Sequence, residues 1–426
     1  MKNNAWRWYR MKNVYDIRYE KNLIYIISEN GYSITNQQLS EIYFETAIII
    51  YLYYIEDISI YCQYINNIPN GIDIFIISSR EDVLTKVHES SDLSNRHNIE
   101  YIFKENRGRD ISALLIEGMN IVSKYKYACF IHDKKEHTPE LKAETDLWIK
   151  NLWGNLIGSC DHINSILEIL EKNHNLGVLT PPEPIGDHFC TWYGFGWHNS
   201  FDITKKIADE MHLQADIQKD KPPITLGTAL WFKSDALKKL FCAGWNYSDF
   251  DDNELKDTNY LSYGIERIFA YVAQDAGYDT GTVMTVDYAT IQTNYIQYSI
   301  NTIFWEIKKY FPLATVSDIR SFQSNWKNIR KFINRHEEFY LYGAGKMGIF
   351  ALDLLRREQM IPKAFIVSDK KEDMSIEEIP VYLVDEIENI TTKAIIITVT
   401  NESALKEIIQ NLERIGIKKY IDFVGK

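Results

Sequence analysis

Between residues 46 and 131 the chain repeats one pattern: a continuous apolar run, a turn, then a segment of helical periodicity. The runs are 46–54 (T-A-I-I-I-Y-L-Y-Y), 72–78, 99–104 and 127–131. None alternates polar with apolar residues, so neither face of the strand it forms can meet water. Such strands belong in a parallel sheet covered on both sides. The segments between them, 55–66, 80–90 and 111–124, are long enough for crossover helices, and Pro69-Asn70-Gly71 supplies a turn. The pattern predicts βαβ units and an α/β fold with a mostly parallel sheet flanked by helices.

Further along the pattern is less regular. Residues 144–157 and 162–173 read as helices, and 176–180 as a short strand broken by Pro181-Pro182-Glu183-Pro184. A strand at 228–232, a helix at 234–241 capped by Ser234 and a helix at 263–276 ended by Gly277 follow. Residues 1–44 read as an N-terminal extension holding a short strand at 23–28 and a helix at 36–44 opened by Thr35. Residues 45–299 form the main domain, 300–337 a helical linker, and 338–426 a smaller second α/β domain with strands at 339–342, 364–367, 394–399 and 420–424.

Charge limits the partners. Against 47 Lys and Arg stand 59 Asp and Glu, a net −12. Bulk attraction to nucleic acid or anionic lipid is thereby excluded, and any phosphate must be held by a local cationic site. The five cysteines, Cys62, Cys129, Cys160, Cys190 and Cys242, are odd in number and not closely paired. They read as reduced, buried thiols of a cytoplasmic protein. The start, M-K-N-N-A-W-R-W-Y-R, has no apolar h-region, so no signal peptide is expected. The longest apolar run, 47–55, is too short to span a bilayer. Any membrane association is expected to be peripheral, at the inner face.

Two of the strand-like runs end in dense polar knots. The run 99–104 ends in Asn106, Arg107, Gly108, Arg109 and Asp110, and the run 127–131 in His132, Asp133, Lys134 and Lys135. Ligands of open α/β sheets bind outside the carboxyl ends of strands. In the first knot, Arg107 and Arg109 bring donors suited to phosphate just before a helix start. Gly108 permits close backbone approach, and Asp110 can cap the helix or hold a ribose or base group. In the second, Asp133 could hold Mg²⁺ or Mn²⁺, His132 a phosphate or the metal, and Lys134 the leaving diphosphate. Lys135 reads first as solvated surface charge. Taken singly, each knot reads first as an exposed charge cluster.

In order along the chain, N-R-G-R-D, a helix, and Y-x-Y-x-x-x-x-H-D-K-K are followed by Trp148, L-I-G-S at 156–159, residues 177–181, G-T-A-L-W-F-K at 227–233 and G-I-E-R at 264–267. This series resembles the rhamnan synthesis protein F family of bacterial glycosyltransferases from about residue 46 to about residue 281. The resemblance implies a GT-A-like domain, a nucleoside diphosphate sugar donor (dTDP-rhamnose among the candidates) and a growing lipid-linked surface polysaccharide as acceptor. It implies a divalent cation in many such enzymes, but those use Asp-x-Asp where this chain has His132-Asp133-Lys134. An inverting transferase needs a carboxylate base for the acceptor hydroxyl, and Glu266 in G-I-E-R fits that role. Asp249, Asp251, Asp252 and Glu254 are rival carboxylates in an acidic, loop-like stretch. The aromatic stretch 187–199 is an acceptor-site candidate, through Asp187, His188, Trp192 and Trp197, together with Trp231 in G-T-A-L-W-F-K.

The second domain opens with a strand and then G-A-G-K-M-G: Gly343, Gly345 and Gly348, with Asp369 ending the next strand. This is the dinucleotide fingerprint. The domain also resembles small Rossmann-like modules appended to bacterial polysaccharide enzymes. Scaffolding or homo-oligomerisation is its first expected role, nucleotide sensing the second and NAD chemistry the last. Two other readings stay open at this level: an NAD-dependent sugar-nucleotide oxidoreductase or epimerase, and a non-catalytic subunit of a synthesis complex.

Overall fold

The computed structural model describes residues 22–28, 32–90, 93, 96, 98–135, 139–185, 197–221, 223–250, 260–310, 316–369 and 374–425. The chain divides into two compact units between Tyr295 and Ile296. The first is built on eight strands: β1 (Asn22–Ile27), β2 (Thr46–Tyr51), β3 (Asp73–Ser78), β4 (Ile99–Phe103), β5 (Tyr127–His132), β6 (Leu176–Thr180), β7 (Leu230–Lys233) and β8 (Asp279–Thr285). Their order is β1-β8-β6-β7-β5-β2-β3-β4. All pairings are parallel except those of β7, which runs against β5 and β6.

The apolar runs are buried as their composition requires. All six residues of β2 and all six of β5 are buried. Alternate residues feed opposite cores: Ile48, Ile50, Cys129 and Ile131 on one face, Ala47, Ile49, Ala128 and Phe130 on the other. A sheet sandwiched between helices has no wet face, hence the unbroken runs. The strand Asn22–Ile27 pairs in register with β8, so residues before 45 complete the sheet's edge. Two helices depart from the 3.6-residue period. Arg109–Ser112 passes through a π turn, Ala113–Glu117, before Gly118–Val122; Lys142–Ile149 passes through another, Lys150–Gly154, before Asn155–Ile157. Apolar periodicity does not register one extra residue in a turn, and π turns recur near functional sites.

Along the chain, β2, β3 and β4 step outward in one direction, and β5 then returns to the other side of β2. The reversal leaves a crevice between the carboxyl ends of β2 and β5.

The second unit repeats this logic on a smaller scale. Its strands are β9 (Phe339–Tyr342), β10 (Phe365–Val367), β11 (Met374–Ile376), β12 (Ile379–Leu383), β13 (Ala394–Ile397) and β14 (Tyr420–Asp422), in the order β11-β12-β10-β9-β13-β14. Only β11 is antiparallel to its neighbour. The helix Val316–Ile333 gives Ile329 and Ile333 to this unit's core, with Phe322 and Trp326 packed against it. Of the four described cysteines, Cys62 and Cys129 are buried, but Cys160 and Cys242 are exposed, contrary to the expectation of buried thiols throughout. Among the described residues no helix is long and apolar enough to cross a membrane.

Candidate active site

The second knot is clamped at the β2–β5 crevice. The Asp133 N–H donates to Tyr51 O at 3.1 Å, and its Oδ2 accepts from the N–H groups of Tyr53 and Tyr54, both at 2.7 Å. Burial pushes its carboxyl up to about 7, although those two donors pull the other way. Trp153 Nε1 donates to His132 O at 3.0 Å. The Tyr61 hydroxyl donates to Lys134 O at 2.9 Å and accepts from Lys134 N–H at 3.0 Å. Tyr61 and Trp153 are both fully buried, with ring centroids 4.6 Å apart. An irregular segment leaving a buried strand must have its backbone polar groups satisfied, and these side chains do so. Neither stood out in the sequence, because each sits in an ordinary helical pattern.

His132 has a defined tautomer. Its Nδ1 lies 2.9 Å from Asp133 O, and a carbonyl only accepts, so Nδ1 carries the hydrogen. In the neutral ring Nε2 is then a bare acceptor. It is buried, makes no hydrogen bond among the described residues, and faces Asp110 Oδ2 at 3.7 Å. Burial, reinforced by Lys134, pushes the imidazole down to about 4, so it is neutral near pH 7. Burial pushes Asp110 up, but His132 and Lys134 outweigh it and hold the carboxyl below its ordinary value. Two acceptors facing each other across 3.7 Å suit a ligand that donates hydrogen bonds, such as a sugar or nucleoside hydroxyl, better than they suit an ionised phosphate.

The ammonium of Lys134 lies 4.2 Å from the centre of the Trp148 ring. Burial lowers its pKa, and the charges of Glu266, Asp110 and Asp133 oppose that effect. Glu266 stands on the helix Leu261–Asp275, and its charge acts on both Lys134 and His132. Its Oε1 accepts from Gly227 N–H at 2.7 Å and from Arg267 Nη1 at 2.5 Å. Thr225 Oγ1 donates to Glu266 O at 3.0 Å. In this way G-I-E-R is tied to G-T-A-L-W-F-K. Gly264 has a packing reason: a Cβ there would lie 2.7 Å from Ile207 Cδ1 of the helix Phe201–Glu210.

The first knot is organised by a residue the sequence reading passed over. Lys104 is 1% exposed and donates to the carbonyls of Glu105 at 2.7 Å and Arg107 at 3.1 Å, with the Tyr51 ring 5.2 Å away. Burial lowers its ammonium to about 8. The available signal was a lysine directly between an apolar strand and the knot. Gly108 adopts φ +69°, and a Cβ there would meet Phe250 Cγ at 2.6 Å. Arg107 Nε donates to Phe250 O at 2.6 Å, so one edge of this guanidinium holds backbone. Asn106 Oδ1 accepts from Ser79 Oγ at 3.2 Å. Arg109 has φ +48°, an uncommon conformation for a residue with a side chain.

Other expected residues lie elsewhere. Trp197 is 4% exposed and packs on Phe201 and Tyr271; Trp231 is fully buried in β7 and donates Nε1 to Leu156 O at 3.0 Å. Neither ring offers a face to a sugar. Asp187, His188 and Trp192, and the rivals Asp251, Asp252 and Glu254, lie outside the described residues. Asp249 caps a turn by accepting from Asn246 N–H at 2.7 Å. Lys135 pairs with exposed Glu56 at 3.0 Å, a surface pair. A divalent cation fits poorly: Asp133 turns Oδ2 to backbone, and among the described residues no three His, Cys, Asp or Glu side chains converge.

In the second unit Gly343 follows β9 with φ +114°, and a Cβ there would lie 2.9 Å from Thr398 Oγ1. At Gly348 a Cβ would lie 1.9 Å from Gly343 O. Gly345 caps the helix Lys346–Arg357, with nothing within 4 Å of a Cβ. Asp369 is exposed just beyond β10, next to Ser368, whose Oγ lies 2.8 Å from the Tyr342 hydroxyl.

A family model described as "Rhamnan synthesis protein F" matches residues 9–278, more than half of the chain. The match takes in both knots and Glu266 and stops short of the second unit. No curated protein matches the chain.

Proposed function

The chain belongs to the rhamnan synthesis protein F family, and on that premise we propose that its first unit is a GT-A-like glycosyltransferase. It moves a sugar, rhamnose in the simplest case, from a nucleoside diphosphate sugar to a lipid-linked saccharide of a growing surface polysaccharide. The observation that carries this reading is the meeting of Glu266, Lys134, His132 and Asp110 from three separate sequence motifs at one strand-end crevice.

In this reading the acceptor oxygen attacks the anomeric carbon from the face opposite the diphosphate. Its proton passes to the Glu266 carboxylate, and the bond from C1 to the phosphate oxygen breaks, its electron pair leaving with the diphosphate. The anomeric configuration inverts. Lys134, with Arg109 beside it, balances the leaving charge; a cation aimed where charge develops is worth most in a site that excludes water. Arg267, donating to Oε1, holds Glu266 oriented. His132 Nε2 and Asp110 accept hydroxyls of the donor and fix its position.

The test is turnover. Purified protein incubated with a rhamnose oligosaccharide acceptor and with dTDP-rhamnose or a panel of UDP- and GDP-sugars, with and without Mn²⁺, should release nucleoside diphosphate from one of them. Release from none, by protein with a cooperative unfolding transition, would contradict the proposal.

A further inference from the structure

The first unit has a second concavity at the same edge of its sheet. A cavity of about 700 Å³ opens where β1 and β8 end, at Ile27 and Thr285. That volume lies within the roughly 300–1,000 Å³ of small-molecule sites. Its walls include Ser28, Tyr64, Lys150, Gly154, Ser159 and Tyr288.

Three observations bear on what it holds. First, its only wall charges among the described residues are Lys150 and Asp287, which cancel. The β2–β5 crevice has the Lys134 ammonium for a diphosphate; this cavity has no unbalanced cation among the described residues. Hydroxyls and tyrosine rings suit a neutral saccharide, whose rings pair apolar faces with hydroxyl edges. Second, Tyr288 is 1% exposed and packs with Ile185 and Met284, so its ring forms a fixed apolar part of the wall. Third, one helical segment touches both places. Trp148 lies against Lys134 and Trp153 holds His132 O, while Lys150 and Gly154, in the π turn that includes Trp153, face the cavity.

We propose that this cavity is the subsite for the acceptor saccharide, holding sugar units behind the one whose hydroxyl enters the β2–β5 crevice; the assignment rests on the glycosyltransferase reading. Gly154 is the handle for testing it. Its φ of −65° suits any residue, and a Cβ there would meet only Lys150 Cγ, at 3.7 Å. Alanine should therefore fit, and phenylalanine should fill the cavity.

The experiment titrates a neutral rhamnose trisaccharide and, separately, dTDP and UDP into wild type, Gly154→Ala and Gly154→Phe by calorimetry. The expected result is a more than tenfold loss of trisaccharide affinity in Gly154→Phe alone, with nucleoside diphosphate affinity unchanged. Equal trisaccharide affinity in all three proteins, or none in wild type, would overturn the assignment. If Gly154→Phe does not fold, Asp287→Trp, at an exposed position of the wall, decides: a several-fold weaker trisaccharide supports the subsite, and unchanged affinity overturns it. A wild type that binds trisaccharide but turns over no nucleotide sugar would contradict the glycosyltransferase reading while supporting the saccharide subsite.

Discussion

The two units place a crevice at the same topological position and equip it differently. In each, the strand order reverses beside a central strand, β2 in the first and β9 in the second. At the β2–β5 crevice stand Asp110, His132, Asp133, Lys134 and Glu266, most of them with protonation moved by burial and by one another. At the β9–β13 crevice the distinctive residues are glycines, Gly343 and Gly348 being required by close packing, and the one carboxylate singled out, Asp369, is exposed. Topology supplies a place for a ligand in both. Only the first adds a buried set of interacting charges, and perturbed groups in a cleft are what chemistry needs.

The comparison breaks most sharply at Glu266. Glu266→Gln keeps an oxygen for the Gly227 N–H but cannot take a proton. Transfer should fall by about 10²–10⁴-fold, the usual worth of a positioned base, with the protein still folding cooperatively. Steady-state rates and a denaturant curve measured together would check this. Near-normal turnover would remove Glu266 from the base role.

Next come the glycines. Gly108→Ala must hold φ +69° with a Cβ 2.6 Å from a ring carbon, and should cost about 1–3 kcal/mol. Gly345→Ala, with φ −88° and open space, should change stability by less than about 1 kcal/mol. Chemical unfolding of the two variants separates them.

A third prediction concerns pH. Asp133, raised from 3.8 to about 7, contributes stability that is full below pH 4 and lost as pH rises towards 7. His132, lowered from 6.5 to about 4, contributes stability that is full above 6.5 and lost as pH falls towards 4. The two oppose each other between pH 4 and 6.5. Asp133→Asn should expose the His132 slope, so that this variant's stability relative to wild type climbs with pH. His132→Asn should do the reverse. Each slope is at most about 1.4 kcal/mol per pH unit, readable from urea midpoints across that range. Parallel pH profiles for all three proteins would contradict the shifts. The smallest expected effect belongs to the second unit: Asp369→Ala should leave turnover of nucleotide sugar within error.

The strands of the first sheet were legible because unbroken apolar runs leave a strand no alternative to double burial. The knots were legible as clusters, and the ordered motifs linked them to Glu266. What was hidden is how the clusters are held. Lys104, Tyr61 and Trp153 act through backbone carbonyls, contacts that residue type does not announce. Asp133 Oδ2 and Arg107 Nε also bond to backbone, because a turn leaving a buried strand must satisfy its polar groups. Trp197 and Trp231 show an error: an aromatic near a motif is more cheaply buried than displayed.

In the proposed transferase the donor's diphosphate binds at the β2–β5 crevice and not at the glycine turn after β9. Calorimetric titration of dTDP and UDP into wild type, Lys134→Met and Asp369→Ala tests it directly. The account predicts at least tenfold weaker binding in Lys134→Met and unchanged binding in Asp369→Ala. Weakened binding in Asp369→Ala with wild-type affinity in Lys134→Met would contradict it.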